Sequence, residues 1–281
     1  MKTQIKNFVL ISCLFTVFLP FMSCQKNDEL SGSNINANSV DNSINTLPVD
    51  SSLVAWYPFR HGQLVDKSGY GNRIVFCSAT PVVSRSGVDS GAYYFDGTSS
   101  YMMVKNSSSL NPVQSITLAA LVKPMGFYQG KCHGNRILTK GYDDDHTNGR
   151  YTLGFDDQPF HNYNGCDKPV KENRENFFVR YGNSGAVATG TTDTDYIRVE
   201  KWYTVVFTFD GSVSKLYIND QLANASTGST LFTPTDFDLY IGRMQRPDFP
   251  YYFNGIIDEM RIYNRALSSD EVIGLNTLMG Q

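Results

Sequence analysis

Retaining glycoside hydrolysis needs two carboxylates about 5 Å apart across the scissile bond. On a β-strand, only residues two or four positions apart share a face. A Glu-x-Asp-x-Glu run would satisfy both demands, and the chain has none. Glu172-Asn173-Arg174-Glu175 has the wrong period and sits in a polar stretch. Asp258 and Glu259 are adjacent, so a regular strand would point them to opposite faces. Gly-x-Ser-x-Gly and His-Glu-x-x-His are also absent. What the chain does offer is binding chemistry. Asp143-Asp144-Asp145 is its densest acidic cluster, and hard cations such as Ca²⁺ take several oxygens from loops; a solvated turn has the same composition. Phe249, Tyr251 and Tyr252 flank Pro250 after Pro247, in a segment that cannot be a central strand. Sugars present CH faces to aromatic rings and hydroxyls to polar groups. These three residues, with Tyr142, His146 and Tyr163 on the same rim, are therefore candidate ligand-binding residues, unless they merely pack a loop onto an edge.

These residues need a scaffold. The chain has 281 residues and a net charge of −3, with 41% hydrophobic and 13% aromatic residues. That is enough for a sizeable core, and it offers no basic stripe for nucleic acid. Short apolar or alternating runs recur between Gly, Asn, Asp, Ser and Pro: 53–59, 74–77, 92–95, 101–104, 116–122, 136–139, 151–155, 177–181, 202–209, 213–218, 239–241 and 256–263. This spacing predicts an all-β, two-sheet antiparallel sandwich. In 202–209, Tyr203, Val205, Phe207 and Phe209 should face the core. One short C-terminal helix is expected, with Ser268 and Glu271 as a capping box and Val272, Leu275 and Leu278 at helical spacing. Two long interruptions, 125–135 and 156–176, are where function or mobility is expected. They hold Cys132 and Cys166, which could form a disulfide in an oxidising compartment. No Cys-x-x-Cys spacing supports zinc.

Several segments resemble a known family. Leu53-Val54-Ala55-Trp56-Tyr57-Pro58-Phe59, Asp66-Lys67-Ser68-Gly69-Tyr70-Gly71-Asn72, Tyr94-Phe95-Asp96-Gly97, Trp202 to Asn219 and Gly255 to Ser268 look, in that order, like the laminin G-like jelly rolls of the concanavalin A-like lectin/glucanase superfamily. The resemblance spans about residues 51–278 and implies two facing antiparallel sheets that bind carbohydrate or protein ligands, often with Ca²⁺. Pentraxins share that fold, and by resemblance to their calcium loops Asp143, Asp145, Gln245 and Asp248 are candidate Ca²⁺ ligands. Asp66 and Asn72 could form a separate structural site, or a turn built on its own glycines.

The N-terminus reads as an address. Lys2 and Lys6 precede an uncharged apolar run from Phe8 to Met22, shorter than the ~20 residues of a spanning helix. Ser23-Cys24 resembles the lipobox of bacterial lipoproteins, with Cys24 the acylated residue, and Gln25 to Glu29 resembles a surface-export tag. Expected organisation is a signal peptide over 1–23, an acylated Cys and Asn/Ser-rich tether over 24–50, and the sandwich over 51–281. The whole reads as an outer-membrane, cell-surface lipoprotein that touches the membrane only through its lipid anchor. It would hold a glycan or polysaccharide without turning it over, beside partner polysaccharide-uptake or polysaccharide-degrading proteins. A protein-adhesion module and a divergent glycoside hydrolase are the competing readings.

Overall fold

A computed structural model describes residues 50–128, 134–142, 149–156, 176–183, 186–190 and 197–280. Among these residues fifteen strands follow one another: β1 (Leu53–Tyr57), β2 (Ile74–Cys77), β3 (Thr80–Val82), β4 (Ala92–Asp96), β5 (Met102–Val104), β6 (Ile116–Pro124), β7 (Asn135–Lys140), β8 (Arg150–Asp156), β9 (Asn176–Gly182), β10 (Ala186–Gly190), β11 (Tyr203–Phe209), β12 (Val213–Ile218), β13 (Gln221–Thr227), β14 (Leu239–Ile241) and β15 (Asn254–Tyr263). Helix α1 (Ser269–Met279) closes the chain. The eight-stranded back sheet runs β13-β12-β11-β6-β15-β4-β3, with β1 also paired to β15. The seven-stranded front sheet runs β10-β9-β8-β7-β14-β5-β2. All pairings among these strands are antiparallel. The expected two-sheet sandwich with one short C-terminal helix is therefore the architecture found.

Period two decides what goes between the sheets. Tyr203, Val205, Phe207 and Phe209 of β11 enter the inter-sheet core as expected, meeting Tyr151, Leu153, Phe155, Phe177, Val179 and Tyr181 from the front sheet. Each such side chain contributes about 1.5–3 kcal/mol by leaving water. The alternate residue Val206 faces outward and joins Leu121, Tyr217 and Tyr263 beneath α1. Ser268 and Glu271 cap that helix reciprocally: Ser268 Oγ accepts from Glu271 N at 3.3 Å and Glu271 Oε2 accepts from Ser268 N at 2.8 Å. Its buried face is Val272, Leu275 and Met279; Leu278, expected there, is only half-buried. A rotation of 100° per residue carries position 279, not 278, back to the stripe begun at 272 and 275.

Two acids close turns. Asp66 accepts from Trp56 N and Ser68 N at 2.9 Å and from Asn72 N at 2.8 Å, while Gly69 and Gly71 hold positive φ of 92° and 78°. Asp66 and Asn72 thus make a self-sufficient turn. Asp96 accepts from the backbone N–H groups of Thr98, Ser99 and Ser100 at 2.8–2.9 Å.

Candidate functional site

The front sheet turns one face to the core and the other outward, and its registers set the outward side chains in rows. Pairing aligns Phe76, Met103, Tyr240, Thr139, Thr152 and Arg180 across β2, β5, β14, β7, β8 and β9. A second row aligns Arg136, Gly154 and Phe178. Glycine is required at 154: a Cβ there would strike Asn135 O at 2.3 Å and stand 3.3 Å from both Arg136 Cδ and Phe178 Cε1. The Arg136 guanidinium lies over the Phe178 ring, 4.6 Å from its centroid.

The connection from β14 to β15, residues 242–253, is laid beside this face by backbone bonds. Gly242 N donates to Ile137 O at 2.9 Å, Met244 N to Pro250 O at 2.7 Å and Phe253 N to Gly242 O at 2.9 Å. Gly242 has a φ of +83°, and a Cβ there would strike the Phe95 ring at 2.3 Å, so both backbone and space require glycine. Arg136 N donates to Tyr251 O at 2.9 Å, fixing Tyr251 in the left-handed region with a φ of 47°. Its ring also packs on Arg136, 4.4 Å from the guanidinium carbon.

Aromatic rings and guanidinium groups join into one strip. Phe76 stacks on Tyr101 at 4.6 Å, and Tyr101 neighbours Tyr240 at 5.9 Å. Arg243 bridges Tyr101, Tyr240 and Tyr252 at 4.9, 5.8 and 5.2 Å. Its Nε donates to Met244 O at 2.7 Å and its NH1 to the Tyr252 hydroxyl at 3.2 Å. Tyr128 completes the strip, 6.4 Å from Tyr252 and 6.2 Å from Tyr251. Most of these rings are half-buried; Phe76 is exposed and Phe178 is buried. Burial raises the phenol pKa of Tyr128 and Tyr240, so both keep a proton at neutral pH and can donate as well as accept. Rings already held by cation–π contacts lose little freedom when a ligand lands on them. Chemically the strip offers apolar faces for CH groups, with hydroxyl and guanidinium donors between them.

The candidates are divided by this geometry. Tyr251 and Tyr252 belong to the strip, and Phe249 adjoins it, 6.0 Å from Tyr251 and under Arg246 at 5.0 Å. Gln245 and Asp248 share the same connection; Gln245 Oε1 is buried and accepts no hydrogen bond among the described residues, whereas Asp248 is exposed. Tyr142 is not brought to this end. It packs on Phe237 at 4.9 Å, past the opposite end of β7 from Arg136, about 20 Å away by strand rise. His146, Tyr163, Asp143, Asp145, Cys132, Cys166 and Cys24 lie outside the described residues. No group of three or more His, Cys, Asp or Glu positioned for a metal occurs among the described residues. Phe76, Tyr101, Tyr128, Arg136, Phe178, Tyr240 and Arg243 were not expected. The available signal was alternation: in Met102-Met103-Val104 and Leu239-Tyr240-Ile241 the middle residue must face away from the core.

Asp258 and Glu259 differ from expectation. A β-bulge between Ile257 and Glu259 breaks the alternation, so both carboxylates reach the same small recess at the rim of the back sheet. They are committed differently. Glu259 accepts from Trp56 Nε1 at 2.8 Å and pairs with Arg261, and Asp258 accepts from Arg85 N at 2.7 Å. Burial raises the Asp258 pKa to about 6.

A sequence model of the concanavalin A-like lectin/glucanases superfamily matches residues 96–273. Domain 4 of AbnA, an extracellular GH43 arabinanase from Geobacillus stearothermophilus solved in complex with arabinotriose, is similar with a TM-score of 0.55 and 22% identity, over 80% of this chain and 98% of that one. The binding domain of Paraclostridial Mosquitocidal Protein 1 is similar with a TM-score of 0.58 and 14% identity, over 82% of this chain and 52% of that one. The botulinum neurotoxin serotype D binding domain gives 0.56 and 15%, over 81% and 51%. The chain thus spans about half the length of these toxin domains. No curated protein sequence matches it. Two facing antiparallel sheets and a match over more than half of the chain place this protein in the concanavalin A-like lectin/glucanases superfamily.

Proposed function

We propose that the protein is a non-catalytic carbohydrate-binding module and that the strip on the front sheet is its glycan-contacting surface. The continuous ladder from Phe76 through Tyr101, Tyr240, Arg243 and Tyr252 to Tyr128 and Tyr251 carries this reading. Such a ladder stacks successive sugar faces, and its length suits an extended chain better than a compact ligand. Two further points support it. The strands of the front sheet contain one carboxylate, Asp156 at the end of β8, where bond cleavage asks for a pair. A domain of similar fold was solved with arabinotriose bound.

The finer proposal adds an anchor: Cys24 acylated, residues 24–50 as a tether, and the sandwich held at the outer surface of the outer membrane. Ca²⁺ held by Gln245 and Asp248, beside the strip, would assist binding; Asp143 and Asp145 follow Tyr142 at the far end of β7 and are not proposed as ligands of the same ion. Affinity electrophoresis against a polysaccharide panel that includes arabinan, with Ca²⁺ and with EDTA, tests the first proposal. Retardation on at least one glycan without release of reducing ends is expected. No retardation on any glycan in either condition contradicts it. Labelling with a radioactive fatty acid, lost in Cys24→Ala, tests the anchor.

A further inference from the structure

The back sheet carries a separate hollow, on the side of the molecule opposite the strip. Its volume is about 340 Å³, and Arg85, Trp202, Asn219, Asn276, Thr277 and Gly280 line it. That is within the range of small-molecule sites, about 300–1,000 Å³. Four distant segments meet there: the turn after β3, the entry to β11, the β12–β13 turn and the last turn of α1. Three of them are pinned from outside the hollow. Arg85 N donates to Asp258 Oδ2 at 2.7 Å. Asn219 sits at a φ of 51°, its N donating to Thr204 O at 2.8 Å and its Oδ1 accepting from Thr204 N at 3.0 Å. Trp202, half-buried, packs against the cluster beneath α1.

Thr277 Oγ1 donates to Ile273 O at 3.1 Å and the Arg85 charge acts on Asp258, but the other polar groups that line the hollow are uncommitted. The Trp202 Nε1–H, the Arg85 guanidinium, the Asn276 amide and the Asn219 Nδ2 make no hydrogen bond or ion pair among the described residues. An indole beside amide and guanidinium donors suits a sugar ring, which has an apolar face and a polar rim. Charge selects further. The last turn of α1 ends in carbonyl oxygens with the negative end of the helix dipole, which accept from hydroxyls and repel a carboxylate. Arg85 is a full positive charge against about half a charge at the helix end, but Asp258, on which it acts, takes up part of it, so an anion gains little while Arg85 still donates to a neutral oxygen.

We propose that this hollow is a second site, taking a single neutral sugar unit stacked on Trp202 and hydrogen-bonded by Arg85, Asn219 and Asn276. It stands apart from the strip and does not rest on it. Two sites on opposite faces would let one molecule hold two strands of a polymer, raising avidity without new contacts.

The chain has two tryptophans, Trp56 and Trp202. Trp56→Phe therefore makes Trp202 the sole indole reporter. Titration of that protein with glucose, galactose, arabinose and glucuronate should give a saturable change in emission with at least one neutral sugar, and weaker binding of glucuronate. Asn276→Ala should weaken the response by about 3- to 10-fold, the worth of one or two hydrogen bonds, and Tyr251→Ala on the strip should leave it unchanged. If Trp56→Phe does not fold, side-chain amide shifts of Asn219 and Asn276 in the unaltered protein give the same readout. No saturable response to any neutral sugar, an unchanged response in Asn276→Ala, a lost response in Tyr251→Ala, or tighter binding of glucuronate overturns the proposal.

Discussion

Arg243 holds the strip together at the residue scale. It touches three rings and hydrogen-bonds one of them, so its removal frees Tyr101, Tyr240 and Tyr252 at once. Cation–π contacts at such sites are worth about 0.5–1 kcal/mol each. Arg243→Ala should therefore weaken glycan binding by about tenfold, measured by titration calorimetry, with thermal unfolding still cooperative. Asp258 makes a prediction about pH. Burial holds its folded value near 6, above the unfolded value of about 3.9, so its contribution favours folding in acid and is lost as pH rises through about 6. At neutral pH the ionised carboxylate is a cost. Asp258→Asn should raise stability by about 1–3 kcal/mol near neutral pH relative to its effect near pH 4, read from denaturant unfolding at both. Glu271 has the opposite sign. Its bond to Arg265 lowers its pKa to about 2, so what it adds is present above about pH 4.5 and fades as pH falls.

Among the elements, edges and irregularities separate what could be read in the sequence from what could not. The central strands announce themselves as long apolar runs, since both of their faces are buried. β3 and β10 went unexpected and β13 is marked only by the turn at 219–221 that leads into Leu222; each lies at the edge of a sheet. β13 is largely exposed, and β3 carries Pro81, which an edge tolerates; neither has an apolar face to display. The bulge in β15 was equally hidden, because alternation assumes a regular ladder and nothing in Ile257-Asp258-Glu259 marks the extra residue. The helix was legible at its cap, where the signal is local. Ser268→Ala should cost about 0.5–2 kcal/mol of stability by guanidinium unfolding, without changing glycan affinity, since α1 packs on the back sheet and not on the strip.

For the whole molecule, the sandwich divides labour between two outer faces. The back sheet gives part of its outer face to α1, which covers Leu121, Val206, Tyr217 and Tyr263. The front sheet leaves Phe76 exposed and Tyr101, Tyr240 and Tyr252 half-buried, an arrangement that keeps aromatic edges at the surface for a reason. The aromatic loop 249–252 was legible because two prolines set it outside the ladder. The rest of the strip was not, because Tyr101, Tyr240 and Arg243 become neighbours only through a pairing of strands far apart in sequence. The most direct measurement is isotope-edited NMR of the unaltered protein, titrated with whichever polysaccharide fragment retards it. Shift changes should concentrate on Tyr101, Tyr240, Arg243, Tyr251 and Tyr252, and Tyr252→Ala should reduce affinity by about tenfold or more. Binding that leaves these five residues unshifted, with affinity intact in Tyr252→Ala, would contradict the strip as the glycan-holding surface.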